Sequence, residues 1–251
     1  MKRLAICLLL ILMASPVYGE DLSIDWTKQY ARLSTPILCG NASTTNPCSG
    51  YLVCQGFEGT GYDNSETWTE YIPGSSVVNE DYTTTALVGS QSLYLYNGSS
   101  WDSTRAYTSF TPSGNAYAYA QVRFKTIANS LYFMVLEASS TAVAGVQYAN
   151  SSTVRLDCGT SNNSGSYSIS TDTTYHVWLE YQKGTGSNAI CRLYLSTTSS
   201  KPGTATITIT GGSGTGDADG INLYCHGATS GREIIFDKIR VSSSSIGSDP
   251  Q

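Results

Sequence analysis

Read for hydrophobic and polar positions, the chain changes character near Tyr51. Beyond it, apolar and polar residues alternate in short runs with the period of two that a half-buried strand requires. The clearest run is Ala116-Tyr117-Ala118-Tyr119-Ala120-Gln121-Val122-Arg123-Phe124, in which every second residue is expected to face a core. In Tyr175-His176-Val177-Trp178-Leu179-Glu180-Tyr181 the same period sets His176, Trp178 and Glu180 opposite Val177, Leu179 and Tyr181. Strands are expected at Tyr51–Phe57, Ser92–Tyr96, Ala106–Phe110, Ala116–Thr126, Ser130–Ser139, Gly145–Ala149, Thr153–Cys158, Tyr175–Gln182, Ala189–Ser196, Thr204–Thr210, Gly220–Cys225 and Ile234–Ser242. Turn-forming clusters separate them, at Ser161–Gly165, Lys183–Asn188 and Gly211–Gly220. No amphipathic helix of useful length is visible. Many short strands with regular turns predict an all-β fold: a two-sheet antiparallel β-sandwich, or jelly roll.

The residues before this region read differently. Met1-Lys2-Arg3, the apolar run Leu4–Met13 and the small residues Val17 and Gly19 have the form of a signal peptide spanning 1–19. The apolar run is too short to span a hydrocarbon core about 30 Å thick. Residues 20–53 form a polar, irregular lead-in around Asn41-Ala42-Ser43-Thr44-Thr45-Asn46-Pro47. The sandwich is expected over 54–242, and a Ser-rich tail, 243–251, is expected to be disordered. The destination is therefore extracellular or the cell envelope, with no membrane span in the mature chain.

Seven cysteines occur, and Cys7 leaves with the leader. The remaining set, Cys39, Cys48, Cys54, Cys158, Cys191 and Cys225, is even in an exported chain and reads as disulfides rather than metal ligands, since no C-x-x-C pair exists. Cys39 with Cys48 is expected to close a local loop, and at least one pair is expected among Cys158, Cys191 and Cys225. A net charge of −5 with only 13% charged residues argues against a nucleic-acid partner. Tyr (18) far outnumbers Phe (5), which suits half-exposed strands and sugar-facing surfaces alike.

Several pieces, in order, carry a family resemblance: Phe57-Glu58-Gly59, then Thr83-Thr84-Thr85 with Gly89-Ser90-Gln91-Ser92-Leu93, then Tyr175–Tyr181, then Phe236-Asp237-Lys238-Ile239-Arg240-Val241. Together they resemble the concanavalin A-like lectin/glucanase superfamily, in the style of laminin G-like jelly rolls of bacterial exported proteins. A galactose-binding-like sandwich shares the opening F-E and the closing F-D-x-I-x-V and is the rival at the level of fold. The resemblance implies a structural calcium ion held by Glu58, a backbone carbonyl of Gly89, and Asp237. Calcium's preference for six to eight hard oxygens suits that set. The alternative is that Glu58 and Asp237 face solvent or pair with Lys238 or Arg240.

Hydrolases of the superfamily align carboxylates on one strand as E-x-D-x-E. Here Glu137 and Glu180 stand isolated, and Asp157 has no partner two residues away. No lyase motif stands out either, so the reading leans away from an enzyme. Gly216-Asp217-Ala218-Asp219-Gly220 lacks the distal Glu of a calcium loop and reads as a turn. For a carbohydrate or cell-surface glycan, the candidate contacts are Trp101 and Asp102 in a polar loop, Trp68 in another, and Trp178 on its strand, for which core packing is the competing role. The function expected is a secreted or cell-surface, non-catalytic glycan-binding or adhesion module. The rivals are a polysaccharide-degrading enzyme of the same fold and a structural envelope or appendage component.

Overall fold

The structure, a computed structural model, describes residues 48–59, 61–62, 66–99, 102–126, 132–150, 152–159, 161–162, 166–227 and 230–249. Strands in chain order are β1 (Val53–Gln55), β2 (Trp68–Tyr71), β3 (Val77–Tyr82), β4 (Ser92–Asn97), β5 (Asp102–Ser113), β6 (Asn115–Phe124), β7 (Tyr132–Ala138) and β8 (Thr141–Asn150), followed by β9 (Thr153–Cys158), β10 (Ser161–Asn162), β11 (Tyr167–Ser168), β12 (Thr174–Gln182), β13 (Ala189–Ser196), β14 (Ile207–Gly212), β15 (Ala218–Gly227) and β16 (Arg232–Ser242). No helix occurs among the described residues, so none is long and apolar enough to cross a membrane.

Two antiparallel sheets result. The first runs β14-β13-β12-β6-β16-β4-β3, with β1 also on β16; the second runs β10-β9-β8-β7-β15-β5-β2, with β11 also on β9. The first and last strands lie side by side, Cys54 opposite Arg240. Alternation sets the core: Ala116, Ala118, Ala120, Val122 and Phe124 of β6 and Val177, Leu179 and Tyr181 of β12 point between the sheets. They meet Leu136, Val146, Leu156, Ile221 and Leu223 from the second sheet. Phe124 anchors an aromatic cluster there, its ring 5.1 Å from Phe133 and 5.3 Å from Tyr148.

The sandwich predicted from the alternation is what forms. Edge strands β2 and β3 were not expected from the sequence, because polar, mostly exposed or half-buried segments carry little periodic signal. Disulfides join Cys48 to Cys54 and Cys158 to Cys191. The expected Cys39–Cys48 loop is thus corrected, since Cys48 is taken by Cys54; Cys39 itself lies outside the described residues. Cys225, also a disulfide candidate, is a free buried thiol that packs as an apolar core residue of β15.

Of the tail expected to be disordered, 243–251, residues 243–249 are described, and they lie against the first sheet. Ile246 is buried against Tyr119 and Trp178, the Trp178 indole N–H donates to the Gly247 carbonyl at 2.8 Å, and Asp249 pairs with Lys238 at 3.2 Å. The composition of 243–251 hid this, because only one apolar side chain is needed once the sheet offers an aromatic socket.

Candidate functional site

The strand registers of the second sheet stack its outward residues into rows that cross the strands. One row runs Tyr71, Arg105 and Tyr224; on its far side, Tyr132, Gln147 and Arg155 line up opposite one another. The two halves meet at β15–β7, where Leu223 pairs with Met134 and so sets Tyr224 beside the Tyr132 end of β7. A second row, one step along, runs Thr69, Tyr107, Asn222, Val135, Gly145 and Asp157. Its centre is low, since Val135 and Gly145 are short, while tyrosines stand on either side.

Two glycines let those rings lie against the sheet. A Cβ on Gly145 would meet the Tyr132 ring at 2.6 Å, and one on Gly220 would meet the Tyr107 ring at 2.7 Å. The resulting face carries a cavity of about 300 Å³ bordered by Tyr71, Arg105, Tyr107, Glu137, Ser140 and Asn222.

The polar chemistry of this face is unevenly satisfied. The Arg105 guanidinium lies 5.4 Å from the Tyr71 ring centre and 5.9 Å from that of Tyr224. Glu137 accepts from the Tyr224 hydroxyl at 3.3 Å. Asp157 receives the Tyr132 hydroxyl at 2.5 Å and the Gln147 amide at 2.6 Å on one oxygen. Its other oxygen, and the Asn222 side-chain oxygen, are buried without a hydrogen-bond partner. Such an acceptor ordinarily costs about 1–3 kcal/mol. Burial, then the charge of Glu137, raises the Tyr224 phenol above its ordinary range, with Arg105 opposing.

A larger cavity, about 520 Å³, opens at one end of the sandwich beside Ser139, Thr141 and the Ser213–Asp217 loop. Its carboxylates are committed within the protein: Asp219 accepts the Ser139 backbone N–H at 3.0 Å and Asp217 pairs with Lys183 at 3.0 Å. The D-x-D-G segment lies in the loop before β15 and at that strand's start, as a turn between strands would.

The acidic pair at the two ends of the domain comes together on the first sheet. Asp237 is fully buried at a β16 bulge. One of its oxygens accepts from the Val88 N–H at 3.0 Å and the Ser92 hydroxyl at 2.9 Å, the other from the Lys238 N–H at 2.7 Å. Burial pushes its carboxyl up to about 7, against these hydrogen bonds and with a further push from Glu58. Glu58 follows Phe57, which is held at φ 54°, and its carboxylate receives the Ser90 N–H at 3.0 Å. Gly89, at φ +61°, must be glycine, because a Cβ would overlap that carboxylate.

Gln91 completes the picture. Its side-chain amide donates to the Phe57 carbonyl at 3.2 Å and to the Gly59 carbonyl. Among the described residues no three His, Cys, Asp or Glu side chains form a metal-binding group. A cation here would rest on two carboxylates and neutral oxygens, a donor set for calcium rather than zinc.

The expected glycan contacts are dispersed. Trp178 is buried on the outer face of the first sheet beneath Ile246. Trp68 stacks on Tyr62 at 5.1 Å, and its N–H reaches Glu66 at 3.3 Å. Asp102 opens β5 and accepts the N–H of Ser103 at 2.8 Å; Trp101 lies outside the described residues. The row on the second sheet was not anticipated. Its only signal in the sequence was the outward alternation of Arg105 with Tyr107, Asn222 with Tyr224, and Arg155 with Asp157.

Similarity to solved structures lies in the fold. An endo-β-1,4-glucuronan lyase from the fungus Trichoderma reesei superposes with a TM-score of 0.57 at 9% identity, over 77% of this chain and 96% of that one. The cellulose-induced protein Cip1 gives 0.57 at 17% identity, over 78% and 99%. This is a jelly-roll β-sandwich. The receptor-binding domain of botulinum neurotoxin type G gives 0.51 at 9% identity over 79% of this chain, which spans about half, 49%, of that structure. No protein-family model matches the chain, and no curated protein sequence matches it.

Proposed function

We propose that the protein is an exported glycan-binding module of the concanavalin A-like, laminin G-like type, which holds its ligand across the outer face of the second sheet. The observation that carries this reading is the cross-strand row itself. Tyr71, Tyr107, Tyr132 and Tyr224 offer ring faces for sugar C–H groups, beside the cavity bordered by Arg105, Glu137 and Asn222. The folds it resembles are consistent in their names: one neighbour is a lyase of glucuronan and another a cellulose-induced protein. Cell entry of botulinum neurotoxin type C, whose structure superposes at a TM-score of 0.53, depends on two ganglioside molecules.

Calcium belongs to this reading as a structural ion at Glu58, Gly89 and Asp237, on the sheet opposite the ligand. Export rests on the leader-like residues 1–19. A second reading, glycan cleavage, is favoured by the Tyr224 hydroxyl, which sits between Arg105 and Glu137 where a proton-transferring group would be wanted.

One experiment addresses these together: glycan-array binding of the purified protein with calcium and with EDTA, and product analysis on the ligands found. Binding that is lost in Tyr132→Ala and Tyr224→Ala but persists in Trp68→Ala supports the groove. Unsaturated or reducing ends accumulating with time would turn the binding module into an enzyme. Absence of glycan binding, together with multimers in light scattering, would favour the structural-component reading instead.

A further inference from the structure

The outer face of the second sheet carries two cations outside any ion pair: Arg105, which borders the 300 Å³ cavity, and Arg155 on β9, beyond its lining. Lys125, Lys183, Arg192, Lys201 and Lys238 hold carboxylates in ion pairs, and neither Arg105 nor Arg155 does. Carboxylates are close at hand, yet they are engaged otherwise: Glu137 by Tyr224, Asp157 by Tyr132 and Gln147. Glu70, at the cavity rim, takes the Tyr62 hydroxyl at 2.9 Å. The guanidinium of Arg105 is held between two tyrosine rings, which fixes its fork without using its donors on a carboxylate.

The registers relate the two arginines. Tyr107, Asn222, Val135, Gly145 and Asp157 form one continuous row across the strands, and Arg105 and Arg155 each stand two residues before its end members, Tyr107 and Asp157, on strands that run the same way, so they stand at the same level of the sheet. Four strand spacings separate β5 from β9 along β15, β7 and β8, which at about 4.8 Å each amounts to roughly 19 Å. Between them lie the rings and hydroxyl groups of Tyr224 and Tyr132 and the side chain of Gln147.

From this we infer that the groove takes a linear, carboxylate-bearing oligosaccharide lying across the strands, with Arg105 and Arg155 reading two of its carboxylates at separate sugar positions. The inference rests on the glycan reading above and narrows it to uronate-type chains. Guanidinium forks match carboxylates in a bidentate geometry, while hydroxyl-accepting groups between them suit the neutral edges of the same rings. A net charge of −5 gives no long-range attraction for such a ligand, so selectivity depends on these two local cations.

The test is calorimetric titration of the full protein with an oligoglucuronate hexasaccharide and with its carboxyl-reduced, neutral counterpart. The acidic chain is expected to bind at least tenfold tighter, with the advantage shrinking as salt rises. Arg105→Gln and Arg155→Gln should each remove most of that advantage, and the double variant all of it, with melting temperatures unchanged. Equal binding of both chains by the wild type overturns the inference while leaving the glycan reading intact. Preference that survives the double variant overturns the assignment of these arginines, and failure of both ligands counts against the glycan reading itself.

Discussion

At the residue scale, His176 shows how burial turns into pH dependence. Its Nδ1 lies 2.8 Å from the Tyr119 hydroxyl on the face covered by the tail. Burial lowers its pKa, with Asp249 opposing and Lys238 adding a smaller push in the same direction. Because the folded value lies below the unfolded one of about 6.5, the unfolded chain takes up the proton first. This contribution to stability is therefore present above that value and declines as the pH falls through it toward the folded pKa. Thermal melts from pH 8 to pH 5 should show an acid-side loss that is shallower in His176→Gln; parallel curves would remove His176 as its source. Gly89 is a sharper constraint. Gly89→Ala must place a methyl group into the Glu58 carboxylate at a positive φ, and about 1–3 kcal/mol of stability is expected to be lost. Denaturant titration measures it. A loss below 0.5 kcal/mol, by the ordinary range of surface substitutions, would mean that the loop moves aside freely.

At the element scale, the two disulfides do different jobs. Cys48–Cys54 closes a short loop beside β1, whereas Cys158–Cys191 ties β9 of the second sheet to β13 of the first across the core. The paired Cys158→Ser and Cys191→Ser variant is expected to lose roughly 2–4 kcal/mol, and more than the Cys48/Cys54 pair, because the cross-link spans the longer loop and both sulfurs are buried. Equal losses in denaturant titration would contradict this. The sequence made the elements of this sandwich readable wherever both faces differ, as in β6, where alanines turn inward and tyrosines outward. It did not make the groove readable. Arg105, Tyr224 and Arg155 are far apart along the chain and share one face only through registers between β5, β15, β7, β8 and β9, which no local period encodes. Trp178 misled for a related reason. Its outward position was legible, but its cover, Ile246, sits in a segment whose composition reads as unstructured.

At the scale of the whole molecule, the two outer faces have opposite fates. The second sheet leaves its tyrosines and arginines reachable; the first is closed by its own C-terminal segment. That closure is a set of specific contacts: Trp178 to the Gly247 carbonyl, Lys201 to the Ile246 carbonyl at 3.0 Å and to Glu180 at 2.6 Å, and Asp249 to Lys238 and to Gln121 at 3.2 Å. Ending the chain at Ser244 removes the tail's share of them while every strand remains. Uncovering Ile246's socket and the indole N–H is expected to cost roughly 2–5 kcal/mol. Tryptophan emission should shift to the red and become quenchable by iodide, and Trp178→Phe in the truncated chain should abolish the shift. Because the groove lies on the other sheet, glycan affinity of the truncated protein should match that of the full chain at temperatures where both are folded. Unchanged emission and melting would mean that the tail does not cover Trp178. A loss of affinity without unfolding would mean that the two faces are coupled through the core.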